Sequence, residues 1–408
     1  LSTEEVSALL RYAHEHRVPV TPRGAGTNLV GSTVPLEGGI ILDLSRMDRV
    51  LELDEDTMTV TVEPGMLLQD LQAYVEARGL FYPPDPGEKA SSIGGMRTVK
   101  YGVTRDYVRG LEVVLADGTV MQVGGKQVKD ASGLSLKHLL IGSEGTLAVI
   151  TKCLLRLVPK PEASLSVLVP YADLKTGIQS VLTILRANAN PTAVEFMERK
   201  VVALGERFCG VSYPRPDAGS YILLTFDGRS EEVTANAARV RSLALQNELS
   251  DARQCADIWR VRGALVKAVE AVSEQEPVDI VVPISRTADF IRFINDLEAQ
   301  SGMQMVSFGH AGDGNVHLCV VRGERDEETW QRELHENMDR AYAEAYRLGG
   351  VASGEHGIGL SKRPYFLRQT AKENLQAMNA IKTALDPQHI LNNRKSYLTG
   401  GNNNAGTF

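Results

Sequence analysis

Between His310 and His317 the chain reads Ala311-Gly312-Asp313-Gly314-Asn315-Val316, and this stretch constrains the fold more than any other. Each glycine inside a helix costs about 1 kcal/mol relative to alanine, so two of them flanking an aspartate argue against a helix. The segment predicts a strand, a tight turn and a second strand, a hook that brings one imidazole back beside the other. Further along, Ser353-Gly354-Glu355-His356-Gly357-Ile358-Gly359 adds a carboxylate and another imidazole on glycine-rich backbone. Neutral imidazole is the commonest protein metal ligand, and two histidines with one carboxylate leave coordination positions open on zinc, iron or manganese. A lone histidine pair at this spacing more often caps turns, so the residues alone leave both readings standing.

Bulk composition narrows the classes. A chain of 408 residues accommodates two or more domains and a large core. Its net charge of -7 argues against a nucleic-acid binder, which usually carries a basic excess. No apolar run approaches a membrane-spanning length, and no charged-then-apolar secretion signal opens the sequence. Cys153, Cys209, Cys255 and Cys319 are scattered without a CxxC pair. An iron–sulfur centre within the chain is therefore not expected, and a reducing, cytoplasmic setting fits best.

Ser2-Thr3-Glu4-Glu5 reads as a capping box ahead of a helix carrying Val6, Leu9 and Leu10. Strands are expected at 18–21, 40–44 and 58–62, a helix at 67–75 ending at Gly79, and a hairpin at 111–123 turning on Asp117-Gly118. A further strand at 147–157 runs into Pro159 and Pro161, where a domain boundary is placed. Beyond it, strands at 165–169, 194–197, 221–226, 280–282, 305–308 and 316–321 alternate with helices at 171–187, 231–248 and 259–272. Further helices hold Phe290 and Leu297, run up to Leu348, and close the chain at 375–385. This alternation fits an α+β second domain.

Pro22-Arg23-Gly24-Ala25-Gly26-Thr27-Asn28 follows a strand, and its glycines let backbone N–H groups converge as an anion nest. It lacks the dinucleotide fingerprint, because Leu29 stands where a third glycine belongs, and it lacks the Lys-Ser/Thr of a P-loop. Taken alone it is more often an ordinary turn. Ile141-Gly142-Ser143-Glu144-Gly145-Thr146, Gly94-Gly95 and Gly124-Gly125 are further small-residue loops. Four in one domain point to a long ligand lying against backbone.

The order of these motifs resembles the vanillyl-alcohol-oxidase/PCMH flavoproteins, in the branch of the glycolate oxidase flavoprotein and FAD-linked D-lactate dehydrogenase. Pro22–Thr27, Val62-Glu63-Pro64-Gly65, Pro84-Asp85-Pro86, Ser92-Ile93-Gly94-Gly95, Lys100-Tyr101-Gly102-Val103, Gly124-Gly125-Lys126 and Gly142–Thr146 carry the likeness. Downstream, His310–His317, Ser353–Gly359 and Leu385-Asp386-Pro387 carry it too, so that it covers nearly the whole chain. The resemblance implies an α+β fold. A PCMH-type FAD-binding domain of two α+β subdomains would occupy 1–158, and a ferredoxin-like α/β substrate (cap) domain 159–370. A C-terminal helical segment, 371–400, would pack back on the FAD domain, and 401–408 would be a disordered tail.

The resemblance further implies non-covalent FAD, since no histidine stands in the Arg23–Asn28 loop. Its implied contacts are Pro22, Arg23, Gly24, Ala25, Gly26, Thr27, Asn28, Glu63, Pro64, Gly65, Pro84, Asp85, Ser92, Gly94, Gly95, Tyr101, Gly102, Gly142, Ser143, Glu144, Gly145, Ile150 and Asn392. The chain departs from the family in lacking a small polar segment between Gly95 and Met96. Asn392-Asn393-Arg394 stands where the family has Asn-Pro-Gly, and the family has further chain ahead of Leu1.

With the resemblance, the imidazole hook reads as one divalent metal (Zn, Fe or Mn) on His310, His317 and Glu355, with His356 as a catalytic base. The reverse, His356 as ligand and Glu355 in support, stays open. The family's carboxylate-binding arginine lies three residues after a tryptophan, which here is Trp259, so it is Arg262. Val266 and Cys319, both small, favour a short acid over 2-hydroxyglutarate. The implied activity is oxidation of a D-2-hydroxy acid, D-lactate first and glycolate next, with hydride passing to flavin N5. Electrons would leave to an electron-transferring flavoprotein, an iron–sulfur subunit, a cytochrome or a quinone. A metal hydrolase and a non-catalytic member of an oxidase complex are the competing classes.

Overall fold

In this computed structural model, residues 1–85, 90–92, 96–243 and 252–398 are described. Gly94, Gly95, their junction with Met96, and the 401–408 tail therefore lie outside the described residues. The chain divides into two compact units. One comprises Leu1–Met96, Val103–Lys160 and the chain from His356 on, and the other Arg97–Gly102 and Pro161–Glu355.

The first unit opens with the capping box. The Ser2 hydroxyl accepts from the Glu5 amide, and the Glu5 carboxylate accepts from the Ser2 amide. The helix Thr3–His16 then sets Val6, Leu10 and Ala13 against Val20, Leu42, Val114, Val149, Ile390 and Leu391. Val20–Arg23 and Ile40–Asp43 pair in parallel. A five-stranded antiparallel sheet runs in the order Val50–Asp54, Thr59–Val62, Val149–Arg156, Val108–Val114, Val120–Gly124. Along Val149–Arg156 every second residue is buried, the pattern of a strand with one covered face. Val50–Asp54 is not anticipated from the sequence, and none of its residues is buried, so no alternation announces it.

The C-terminal chain closes this unit. The Val20 amide donates to the Ile390 carbonyl and the Asn392 amide to the Val20 carbonyl, both at 2.8 Å. On the helix Lys372–Leu385, the fully buried Lys382 ammonium donates to the Thr146 and Leu391 carbonyls, each at 2.7 Å, and to Asp386. The sequence reading carries the second domain to residue 370, whereas packing returns the chain to the first unit at His356. Glu144 helps hold the returning chain: its carboxylate accepts from the Ile358 and Gly359 amides, both at 2.8 Å.

The second unit is a six-stranded antiparallel sheet in the order Ala163–Tyr171, Ser220–Gly228, Ala193–Glu198, Met305–His310, Asn315–Val321, Gln275–Val281. Helices Arg199–Cys209 and Ala252–Glu270 cover one face, packing Val201, Leu204, Val261 and Leu265 onto Met197, Leu223, Phe308 and Cys319. Alternate residues such as Phe196, Ile222 and Leu318 are buried as well. With both pleats covered, the strands read as nearly continuous apolar runs. The helix Arg199–Cys209 is not anticipated from the sequence. Its largest apolar residue, Phe208, is exposed, which blurs the helical stripe. At Gly205 a Cβ would stand 2.7 Å from Val261 and 2.9 Å from Leu265, so glycine sets the close approach of the two helices.

Candidate active site

The hook forms as a hairpin. Met305–His310 and Asn315–Val321 pair in register, with His310 opposite Asn315 and His317 opposite Phe308. His310 and His317 are thus diagonal neighbours on one sheet face, within reach of each other's side chains. The turn depends on Gly314, which has φ +79, and a Cβ there would stand 2.0 Å from the Val282 carbonyl oxygen. The two rings meet edge to face with centroids 5.1 Å apart, and their Nε2 atoms are 3.3 Å apart. Glu355 completes the group: its Oε1 lies 3.3 Å from His317 Nε2 and 3.7 Å from His310 Nε2. One ligand atom from each of the three residues lies within 4.8 Å of the others, a donor set that suits one divalent ion.

The neighbouring strands orient these side chains. Glu195 stands directly across from His310, and Asp279 directly across from His317. His310 Nδ1 donates to Glu195 Oε1 at 2.7 Å, and His317 Nδ1 lies 4.0 Å from Asp279 Oδ1. Each Nδ1 therefore faces a carboxylate and each Nε2 faces the shared point, the usual arrangement behind a histidine-bound metal. Asp279, fully buried, also accepts from the Ser353 hydroxyl at 2.8 Å and from the Gly354 and Glu355 amides at 3.0 Å. It thereby anchors the Glu355 loop to the His317 strand.

Charge in the cluster is shared unequally. Burial opposes ionisation of Glu195, but the positive charges of His310 and Arg262 outweigh it and hold its carboxyl at about 2. Burial works against Glu355 in the same way, and its hydrogen bonds to His310 and His317 overcome it, keeping Glu355 well below the usual carboxylate range. Burial opposes protonation of His310, yet Glu195 and Glu355 hold it well above the ordinary histidine value.

Arg262 lies on the Ala252–Glu270 helix over the same sheet face. Its Nε and Nη2 donate to Glu195 Oε2 at 3.1 and 2.6 Å, and its Cζ is 5.1 Å from the Phe308 ring centroid. Cys319 does not line a substrate space as expected. It is packed in the hydrophobic core, its thiol pushed up to about 12 by burial, and Val266 packs against that core.

Two of the expected nucleotide loops, Pro22–Asn28 and Gly142–Gly145, meet in the first unit. A Cβ on Gly145 would touch the Pro22 ring at 3.2 Å, and one on Gly24 would clash with Ser92 Oγ at 2.6 Å. Gly26 has φ +76 beside the Arg23 guanidinium. The Asn28 side chain caps the Val30 and Ser32 amides at 3.0 Å and donates to the His356 carbonyl at 3.3 Å. Between Gly142 and Gly145, the residues Gly142, Glu144 and Gly145 are left-handed, the backbone habit of an anion nest and a fit for a pyrophosphate. Asn392 fastens this loop, donating to the Glu144 carbonyl at 2.6 Å and the Ser32 carbonyl at 3.0 Å.

Other expected contact residues are committed elsewhere by their side chains. The Glu144 carboxylate accepts from Ile358, Gly359 and the Ser32 hydroxyl. The Glu63 carboxylate accepts from the Arg49 amide and guanidinium. Gly65 allows close backbone approach, since a Cβ would stand 2.3 Å from the Leu44 carbonyl oxygen. Pro84 is buried and its carbonyl accepts from Gln72, Asp85 is half-buried, and Ile150 pairs with Val113 in the sheet. Tyr101 and Gly102 cluster with the second unit, where the Tyr101 hydroxyl donates to Asp227 at 2.9 Å.

Sequence reading passes over Glu195, Asp279 and Lys395. The last is a buried ammonium pulled down to about 8 by burial, donating to the Ser32 carbonyl and to Asn392. For Glu195 a signal exists: an acidic residue in the apolar strand run Ala193–Glu198, on a pleat where charge is rarely buried unpaired.

Comparison with known proteins places the chain. Residues 160–396 match the family described as FAD linked oxidases, C-terminal domain, and residues 1–124 match the FAD binding domain. A D-lactate dehydrogenase of Anaerostipes hadrus is 40% identical, over 96% of this chain and 87% of its own. Glycolate oxidase subunit GlcD of Bacillus subtilis (strain 168) is 38% identical, over 97% of this chain and 87% of its own. The fold is shared with p-cresol methylhydroxylase in its substrate-bound structure. That match has a TM-score of 0.80 at 16% identity, covering 97% of this chain and 87% of the other. The chain therefore belongs to the FAD-linked oxidases with an FAD binding domain, is related to D-lactate dehydrogenase and the glycolate oxidase flavoprotein, and is an FAD-dependent oxidoreductase.

Proposed function

We propose that the chain oxidises a short D-2-hydroxy acid to the 2-oxo acid, with D-lactate the preferred substrate and glycolate the second. The observation that carries the reading is the convergence of His310 Nε2, His317 Nε2 and a Glu355 oxygen, with Arg262 one carboxylate away, inside an FAD-linked oxidase. D-lactate stands first because the relative at 40% identity is named a D-lactate dehydrogenase, and glycolate second because the one at 38% is a glycolate oxidase subunit.

FAD, when bound, supplies the acceptor for the hydride from C2. A divalent metal, when bound by His310, His317 and Glu355, supplies a Lewis acid that eases loss of the substrate hydroxyl proton. The chain's own groups do the rest. Arg262 holds the substrate carboxylate through charge-assisted hydrogen bonds. His356 takes the hydroxyl proton, as an imidazole near its working pH does best. Glu195 and Asp279 keep the two ligating rings turned so that Nε2 stays available. The backbone nest at Gly142–Gly145 and the Pro22–Asn28 loop hold the cofactor's phosphates and neighbouring groups.

Two electrons must leave the reduced cofactor after each turnover. We assign them to an electron-transferring flavoprotein or an iron–sulfur subunit, since the chain's scattered cysteines offer no iron–sulfur centre of its own to receive them. The free thiols Cys153, Cys209 and Cys319 suit a reducing compartment, which supports a cytoplasmic setting. Among the described residues no helix is long and apolar enough to cross a membrane.

The test is anaerobic mixing of the FAD-loaded protein with D-lactate, L-lactate, glycolate and D-2-hydroxyglutarate while following flavin colour. Fastest bleaching by D-lactate is expected. Bleaching by none of them, or preference for L-lactate, would remove the assignment.

A further inference from the structure

We infer that Glu195 is a positioning residue for both halves of the proposed site, aligning the metal-side imidazole of His310 and dictating which edge of Arg262 meets the substrate. This rests on the reading above, in which His310 is a ligand and Arg262 the carboxylate anchor.

The geometry is divided between the two oxygens of one carboxylate. Oε1 accepts from His310 Nδ1 at 2.7 Å, and Oε2 accepts from Arg262 Nε at 3.1 Å and Nη2 at 2.6 Å. The side chain of Glu195 is 7% exposed and that of Arg262 14%, so water competes little for these bonds. The strand register places Glu195 directly opposite His310, and the helix Ala252–Glu270 brings Arg262 down onto it. Glutamate at this position is therefore set by backbone pairing and not by a flexible loop.

Two consequences follow from donor counting. An imidazole whose Nδ1–H is held by a carboxylate keeps its Nε2 lone pair for a cation. A guanidinium has five N–H donors in a planar fork, and Glu195 takes the Nε edge with one Nη2 hydrogen. The donors left to a substrate are those of Nη1 and the second Nη2 hydrogen. Arg262 therefore receives a carboxylate end-on, through its two terminal nitrogens. The Phe308 ring, 5.1 Å from Cζ, helps hold the plane of the fork.

Glu195→Gln tests both roles at once. An amide has one accepting oxygen, so it serves His310 or Arg262 but not both, and its NH2 group opposes the donor it faces. On FAD-loaded protein, competition for Zn2+ against a chromogenic chelator should show affinity weakened by about 10- to 100-fold. KM for D-lactate should rise about tenfold or more, with flavin content unchanged. Arg262→Lys, which lacks the fork, separates the roles. In that background Glu195→Gln should add little to KM while keeping its full effect on Zn2+ affinity. If Glu195→Gln yields no folded holoprotein, Glu195→Asp carries the same readouts, because the shorter arm cannot reach both partners. Zn2+ affinity matching the unmodified protein, or KM effects of Glu195→Gln and Arg262→Lys that simply add, would overturn the role of Glu195. Unmodified protein that neither binds Zn2+ nor is bleached by D-lactate would instead overturn the functional reading beneath it.

Discussion

At the scale of single residues, burial decides which groups are chemically available. Cys153 and Cys319 are both buried, and burial pushes each thiol up to about 12. The thiolate is the reactive form, so these two should resist alkylation by iodoacetamide in the native protein and react once it is denatured. Peptide mapping after brief labelling reads this directly, and early modification of either would contradict their placement. Lys395 gives a pH signature. Its folded value is about 8, below the ordinary lysine value of about 10.4. Below about 8 the folded chain bears the cost of a buried charge. Between about 8 and about 10.4 the unfolded chain binds more protons, so stability rises with pH. Tm should therefore gain more between about pH 8 and about pH 9.5 in the unmodified protein than in Lys395→Met; equal gains would assign the ammonium no such cost. The histidines were legible at this scale because glycines around them ruled out a helix. Asp279 was not, and the apolar run around Glu195 signals only its burial, because the partner of a strand carboxylate is supplied by the neighbouring strand.

At the scale of elements, the position of Arg262 depends on how closely two helices approach. Gly205 on Arg199–Cys209 faces Val261 and Leu265 on Ala252–Glu270, with room for no Cβ at its normal distance. Gly205→Leu gains about 1 kcal/mol of helix propensity but overpacks the contact at a cost of about 1–3 kcal/mol or more. The helix carrying Arg262 must shift to make room. We expect a lower Tm together with a higher KM for the hydroxy acid, measured by thermal unfolding and steady-state kinetics. An unchanged KM would detach Arg262 from the helix contact. Strand periodicity made the 149–156 strand and the histidine hairpin readable from sequence. Val50–Asp54 has no buried residue to reveal it, and Arg199–Cys209 hides behind an exposed Phe208. Register was unreadable, because which residue faces His310 is a property of pairing and not of either strand alone.

At the scale of the molecule, the chain builds one unit, leaves it, and comes back. The proline pair at 159 and 161 marks the departure, and the second unit follows from Pro161. No local signal marks the return at His356, which rests on the tertiary grip of Glu144 on the Ile358 and Gly359 amides. The last segment is then fastened by Lys382, whose buried ammonium meets Asp386 and the carbonyls of Thr146 and Leu391. Lys382→Met leaves Asp386 buried without its cation, which typically costs about 3–5 kcal/mol. Calorimetry should show Tm lowered by roughly 5 °C or more, with partial recovery when Asp386 is also made apolar. A single variant as stable as the parent would deny the clasp its role.

The proposed reaction would join two cofactors on one chain: a flavin to take the hydride, and a metal held by His310, His317 and Glu355 to ready the substrate. Anaerobic addition of D-lactate before and after exhaustive chelation, with flavin content checked, tests that union most directly. Bleaching that is lost on chelation while FAD stays bound, and that returns with added Zn2+ or Mn2+, is the expected result. Bleaching at an undiminished rate in metal-free protein would contradict it.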